Sequence, residues 1–195
     1  MRVASPTRRS SIGRVARASI VAALGLMLAS APAQAQDLNV DSAAAMKAAF
    51  MADIEVMRGK FLGLAEAFPA ETYTWRPMEG VRSVSEVLML IASEGYGFVP
   101  MAVGAPTALS REESQGLNAI TDKAEVIDHL TKGFDYAREQ LETLDPATLT
   151  SARNLFGQER TTPAIMFFVG GDMHEHLGQL IAYARTNRIV PPWSR

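Results

Sequence analysis

Four stretches of this chain repeat apolar residues at intervals of three and four, and this spacing restricts the possible folds more than any other feature of the sequence. Because an α-helix turns once in 3.6 residues, the spacing places the apolar side chains on one face of a helix. The predicted helices cover about 43–67, 84–98, 121–144 and 163–187. The sequence lacks a convincing strand pattern, so it predicts an all-α four-helix bundle.

The segments between these helices carry capping signals and one long connection. Ser83 and Glu86 form a capping-box pattern at the start of the second helix, and 162–163 (Thr-Pro) is a strong start for the fourth. The segment 100–120 lacks a sustained period, and at half extension it spans ~35 Å, about one helix length. We therefore expect a long crossover between helices two and three. The segment 154–160 is expected to be a loop.

The first 35 residues have the pattern of a cleavable secretion signal. Five arginines and no acidic residue precede an uncharged apolar run at 20–28, which is shorter than the ~20 residues that a membrane-spanning helix needs. Ala33 and Ala35 then fit the small-x-small cleavage rule. We expect cleavage after Ala35, a bundle domain over 36–195 and a periplasmic or secreted location. General and twin-arginine export both remain open.

Charge and cysteine content restrict the partners and the chemistry of the domain. Removing the five leader arginines from 19 basic residues leaves 14 against 21 acidic residues, a formal charge of −7. This balance argues against nucleic acid and against an anionic membrane as partners. The chain has no cysteine, which excludes disulfides, thiolate ligands and a cysteine nucleophile. A small-molecule ligand or a second copy of the chain remains compatible with the sequence.

One edge of the predicted fourth helix collects polar side chains. Asp172, His176, Gln179 and Tyr183 follow one another in steps of four, three and four. His174 lies two residues from His176, so the two imidazoles point in roughly opposite directions. Asp172 and His176 can converge on a metal ion. Residue types alone favour the alternative, a polar seam in which Asp172 accepts a hydrogen bond from His176.

Several segments together resemble one protein family. Segments 75–77 and 80–86 read Trp-Arg-Pro and Gly-Val-Arg-Ser-Val-Ser-Glu, segment 176–185 reads His-Leu-Gly-Gln-Leu-Ile-Ala-Tyr-Ala-Arg, and segment 189–194 reads Ile-Val-Pro-Pro-Trp-Ser. With these segments the chain resembles the DinB-like superfamily of four-helix bundles over most of 36–195. The resemblance implies a divalent metal, often zinc or nickel, held by one histidine of helix two and two histidines of helix four.

The chain departs from that ligand pattern at two positions. His176 matches the last histidine, Asp172 stands where the preceding one is expected, and Leu90, which cannot coordinate a metal, stands at the position on helix two. Glu94 lies one turn after Leu90 in an apolar arc, where an ionised carboxylate needs a partner. The candidate ligands are therefore His176, Asp172 and Glu94.

This candidate set suits zinc, manganese or iron, and it has a geometric condition. The donor atoms of Glu94 and His176 must lie within ~5 Å of each other to share one ion. The alternatives are a direct hydrogen bond between Glu94 and His176, or a Glu94 side chain that reaches solvent at the end of the bundle.

Three functions remain open at this point. The first is a degenerate bundle that has no conventional catalysis and binds a small ligand or a partner, as the leucine at position 90 indicates. The second is a divalent-metal-dependent hydrolase or transferase with its site at Asp172 and His176. The third is a structural or dimerising bundle. The low-molecular-weight thiols used by some members of the family are cytoplasmic, so an exported chain is a poor candidate for a thiol transferase.

Overall fold

The computed structural model describes residues 39–194, and four long helical segments make up most of it. The helices in chain order are α1 (Val40–Ala67), α2 (Val84–Ser93), α3 (Val99–Val103), α4 (Arg111–Gly116), α5 (Lys123–Thr143) and α6 (Thr162–Thr186). A π-helical turn, Glu94–Phe98, joins α2 to α3, so these two form one continuous segment. The predicted all-α bundle is confirmed. The predicted signal peptide, 1–35, lies outside the described residues.

The bundle core lies where the four long segments meet. Both α1 and α2 pack against α5 and α6, so α1 and α2 occupy opposite corners. The largest side chains that are fully buried are Tyr73, Phe61, Phe68, Phe134, Ile54, Met57, Leu64, Leu88, Met89, Ile91, Leu130 and Leu141. Since burial of each such side chain stabilises the fold by about 1.5–3 kcal/mol, this core can hold the chain together without disulfides.

The capping box predicted at the start of α2 is present. The Ser83 hydroxyl accepts from the Glu86 amide at 3.3 Å, and the Glu86 carboxylate accepts from the Ser83 amide at 2.6 Å. The Ser83 amide lowers the pKa of Glu86, and Arg76, 3.1 Å away, adds to this effect. Glu86 is thus committed to the helix start and is not available as a metal ligand.

The second long segment extends further than the sequence predicts. A helix ending at 98 is the expectation, but the backbone stays helical to Val103, and the crossover begins at Gly104. In the π-turn the Val99 amide bonds to the Glu94 carbonyl, five residues back. Pro100 then lies in the first turn of α3 and has no N–H to donate, and the carbonyl of Tyr96, four residues back, accepts instead from the Ala108 amide at 2.8 Å.

The segment Val84–Val103 is also long and apolar enough to span a membrane by length and composition alone. Within its most apolar window, 67% of the residues are buried inside the bundle. A helix that is apolar on most sides and covered by its neighbours is the pattern of a central core helix.

A short β-hairpin replaces the loop expected at 154–160. Strands β1 (Ala152–Leu155) and β2 (Gln158–Thr161) pair antiparallel around a two-residue turn. Phe156 and Gly157 both have positive φ, 51° and 80°, as a type I′ turn requires. The strands are only four residues long and mostly exposed, so they lack the apolar alternation that identifies a strand in a sequence.

Two glycines bring the π-turn into backbone contact with α5. A Cβ atom on Gly95 would lie 2.5 Å from the carbonyl carbon of Gly133, and one on Gly133 would lie 2.6 Å from the carbonyl oxygen of Ala92. Carbon atoms pack at about 3.5–4.0 Å, so a side chain at either position forces the helices apart. This contact holds the π-turn, and with it Glu94, against the bundle.

We expect Gly133→Ala to destabilise the protein by about 2 kcal/mol or more, because overpacking at a backbone contact displaces both helices. Urea denaturation measures the change. Gly59→Ala is the matched control, since a Cβ atom at this exposed position of α1 meets nothing within 4 Å. The control should be neutral or stabilise by up to about 1 kcal/mol. Equal stabilities of the two variants would contradict the close contact.

Candidate metal centre

The three candidate ligands lie together in the folded chain. Glu94 comes from the first residue of the π-turn, and Asp172 and His176 come from successive turns of α6. One donor atom from each residue lies within 4.8 Å of the other two. The separation of Glu94 and His176 therefore meets the ~5 Å condition for a shared ion.

Glu94 lies one helical turn beyond the position at which the resemblance places a histidine. Its amide bonds to the carbonyl of Leu90, so the two residues lie on the same face of the segment. Leu90 itself is half-buried and has no donor atom in its side chain. The π-turn begins at Glu94, and such turns often occur at functional sites. The chain thus presents a carboxylate one turn further along the same helix.

The Glu94 carboxyl group is buried without complete hydrogen bonding. Its residue is 4% exposed, and its Oε2 atom has no hydrogen-bond partner among residues 39–194. Burial raises the pKa of Glu94 to about 10, and the adjacent Asp172 adds to this rise as both a hydrogen-bond acceptor and a negative charge. The positive charge of Arg82 opposes the rise. Without a cation in the cluster, Glu94 is protonated at neutral pH.

A chain of hydrogen bonds sets the orientation of His176. The carbonyl of Arg82 can only accept, so the Tyr183 hydroxyl donates to it at 3.0 Å. The Tyr183 oxygen then accepts from Gln179 Nε2 at 2.7 Å. This leaves Gln179 Oε1 facing His176 Nδ1 at 2.9 Å, so Nδ1 carries the proton. The lone pair of neutral His176 is consequently on Nε2.

This arrangement excludes three of the interpretations left open by the sequence. His176 Nε2 and Asp172 Oδ2 are 3.9 Å apart, which is too long for a hydrogen bond and contradicts the polar seam. No hydrogen bond joins Glu94 to His176 within the described part of the chain, and Glu94 does not reach solvent. The unprotonated Nε2 and the two carboxyl groups therefore form a cluster of donors suited to a cation.

Sequence reasoning identified the polar edge of α6 but missed what fixes it. The ring of Trp75 lies edge-on to that of Tyr183, with centroids 5.3 Å apart. The Arg82 carbonyl belongs to the loop before α2. A sequence pattern does not show which backbone carbonyls accept hydrogen bonds from distant side chains. Only the four-three-four spacing of the edge indicated that the side chains of Gln179 and Tyr183 act together.

The predicted separation of the two histidines is confirmed. His174 faces α1, where its Nε2 atom lies 3.0 Å from both carboxylate oxygens of Asp53. It takes no part in the cluster of Glu94, Asp172 and His176.

Solvent reaches the cluster from the side of Asp172. The Asp172 side chain is 34% exposed, whereas that of His176 is 13% exposed. A cleft of about 590 Å³ runs past Asp172 between the hairpin and α6, with Arg160, Phe167 and Phe168 on its walls. A small molecule can therefore approach the candidate ligands without unfolding of the bundle.

Comparison with known proteins identifies the family to which this chain belongs. A model of the DinB superfamily matches residues 53–180, more than half of the chain. The chain belongs to the DinB superfamily. The matched region contains all three candidate ligands, and members of this superfamily often bind a divalent metal. No curated protein and no solved structure matches the chain.

We expect metal-free His176 to be the Nδ1–H tautomer, and Gln179→Leu to shift it toward the Nε2–H form because the acceptor for Nδ1 is lost. Nitrogen-15 NMR of the imidazoles distinguishes the two tautomers. His174 is an internal reference in the same spectrum, since its Nε2 atom must donate to Asp53. A wild-type His176 protonated only on Nε2 would contradict the hydrogen-bond chain.

Proposed function

We propose that this DinB-superfamily chain binds one divalent metal ion through Glu94, Asp172 and His176, and acts as a metal-dependent hydrolase or transferase. The observation that carries the proposal is the buried Glu94 carboxyl group, whose Oε2 atom lacks a partner and which lies beside a second carboxylate and an unprotonated imidazole nitrogen. A divalent cation neutralises the two carboxylates and supplies the missing partner at once.

The donor set supports this choice of cofactor. One imidazole and two carboxylates suit zinc, manganese or iron, and nickel remains a candidate from the family. Three protein ligands leave a coordination position open, as in catalytic rather than structural metal sites. An ion held there supplies Lewis-acid chemistry, including a lowered pKa of bound water.

The residues around the cluster support a reaction on a small molecule. Gln179 and Tyr183 keep the imidazole of His176 in one orientation. Metal-binding histidines are usually fixed in this way, by a hydrogen bond to the ring nitrogen that does not bind the metal. The cleft beside Asp172 admits a substrate, and the burial of Glu94 keeps bulk water away from that side of the cluster. The chain's own residues thus provide binding, orientation and shielding.

A second function has one specific observation in its favour. When protonated, Glu94 donates a hydrogen bond to Asp172, so part of the cluster is satisfied without an ion. In this case the chain is a degenerate bundle that binds a ligand or a partner. The convergence of a third donor, His176, on the two carboxyl groups favours the metal-bound state over this one.

We also propose that the chain is an exported member of the superfamily, on the basis of the basic leader, the short apolar run and the Ala33–Ala35 site. N-terminal sequencing of protein recovered from the periplasm tests this proposal, and a start at residue 36 is expected.

Metal content is the first test of the proposed site. The protein purified without tags or chelators is expected to hold one divalent ion per chain, and His176→Ala to lose it. The loss in affinity should exceed the roughly 10- to 100-fold effect of removing an outer-shell partner. His174→Ala is the matched control, because it removes an imidazole from the same helix outside the cluster. Equal metal content in the two variants would overturn the proposal.

The pH dependence of stability tests the state of Glu94 in metal-free protein. The folded state keeps this proton up to about pH 10, whereas the unfolded chain releases it near the ordinary pKa of 4.5. The contribution of Glu94 to stability is therefore complete below pH 4.5 and is lost as the pH rises toward 10. Each pH unit in this window lowers the free energy of unfolding by up to about 1.4 kcal/mol, measured by urea denaturation.

Two variants isolate this effect. Glu94→Gln mimics the protonated side chain, so we expect it to remove the slope and to stabilise the metal-free protein at pH 8. Glu175→Gln, an exposed acid one turn from Gly171 on α6, should leave the slope unchanged. A wild-type slope that survives in Glu94→Gln would show that another group titrates.

A further inference from the structure

A second cavity lies between α1 and α6, on the side of α6 that faces α1. Its volume is about 370 Å³, within the range of small-molecule sites, and its walls are almost entirely apolar. Phe50 forms part of the α1 wall, and Phe167, which is 85% exposed, forms part of the α6 wall. None of the three candidate ligands lines this cavity, but it shares the Phe167 wall with the cleft beside Asp172.

Two consecutive glycines keep this cavity open. Gly170 and Gly171 lie inside α6, where glycine is less favourable than alanine. A Cβ atom on Gly171 would meet nothing within 4 Å, and one on Gly170 would make only ordinary contacts, 3.7 Å from Phe50 and from Asp53. Packing of the chain itself therefore does not require glycine at these positions. The space that they leave is the floor of the cavity.

One polar pair lies at the wall of the cavity. The Asp53 carboxylate and the His174 imidazole are joined at 3.0 Å, and their side chains are 39% and 49% exposed. The Asp53 carboxylate is an acidic group in this apolar wall, and it accepts from the imidazole. Among residues 39–194, no lysine or arginine lines the cavity. A carboxylate beside phenyl rings in an apolar cavity matches an organic cation, which is attracted both to the charge and to the ring faces.

We propose that this cavity binds a small organic ammonium ion, with its apolar body against Phe50 and Phe167 and its cationic head at Asp53. The carboxylate remains able to accept from such a head, because His174 occupies only part of its lone-pair capacity. The site requires no metal, and it goes beyond the function proposed for the other side of α6. Its ligand class follows from the Asp53 carboxylate in a lining that is otherwise almost entirely apolar.

Three probes of similar shape and different charge test the ligand class. Phenethylammonium, 2-phenylethanol and phenylacetate share a phenyl group and carry charges of +1, 0 and −1. Titration of the purified protein at neutral pH, followed by NMR, is expected to show the amine binding roughly tenfold more tightly than the alcohol, and the carboxylate most weakly. Equal affinities for all three probes, or no binding of the amine at millimolar concentration, would overturn the proposal.

Two glycine variants test the location of binding. Gly171→Leu puts a side chain into the cavity, and we expect it to abolish binding of phenethylammonium. Because Gly171 also lines the cleft beside Asp172, the Asp53→Asn variant is needed to assign such a loss to this cavity, since Asp53 does not line the cleft. Gly178→Leu is the matched control, because Gly178 is also an exposed glycine of α6 with nothing within 4 Å of its Cβ position, and it lies outside the cavity. Undiminished binding by Gly171→Leu would remove this cavity as the site.

A charge variant tests the role of Asp53. Asp53→Asn keeps the shape of the side chain and removes its charge, so the affinity for the amine should fall to that for the alcohol. Retention of the full preference for the amine would show that Asp53 does not recognise the cation. Metal content serves as the independent readout here, since loss of the ion in these variants is not expected.

Discussion

The burial of the Glu94 carboxyl group beside Asp172 is the constraint on which the proposed chemistry depends. A carboxylate that is 4% exposed and adjacent to another carboxylate cannot stay ionised alone, because it has lost its contact with water and the positive charge of Arg82 does not offset this loss and the charge of Asp172. Only a bound proton or a bound cation can compensate the negative charge of Glu94. The proton gives Glu94 a hydrogen bond to Asp172, whereas a divalent ion uses both carboxylates and the lone pair of His176.

The fold fixes the positions of Glu94, Asp172 and His176 from two sides. On one side, the backbone contact between Gly95 and Gly133 fixes the π-turn from which Glu94 projects. On the other, helical spacing sets Asp172 and His176 one turn apart, and the hydrogen bonds that end at the Arg82 carbonyl fix the imidazole. A leucine at position 90 therefore does not end metal binding by itself, since the helix offers a carboxylate one turn later.

The sequence predicted the parts of the molecule that depend on local periodicity. The four long helices, the capping box and the opposed directions of His174 and His176 all follow from helical geometry, and Glu94 was recognisable as a charge within an apolar arc. The π-turn, the extension of the helix past Pro100 and the hairpin around Gly157 depend instead on tertiary contacts and backbone acceptors. Residue spacing does not record those interactions, which is why Tyr183 and Arg82 acquired their roles only from the structure.

Proton release on metal binding tests most directly whether an ion replaces the proton of Glu94. Isothermal titration calorimetry of metal-free protein at pH 8, in buffers of different ionisation enthalpy, counts the protons released. We expect about one proton per bound ion, because burial raises the pKa of Glu94 to about 10 in the metal-free state and a coordinating carboxylate must lose its proton. Binding of an ion without proton release would contradict the assignment of Glu94 as a ligand.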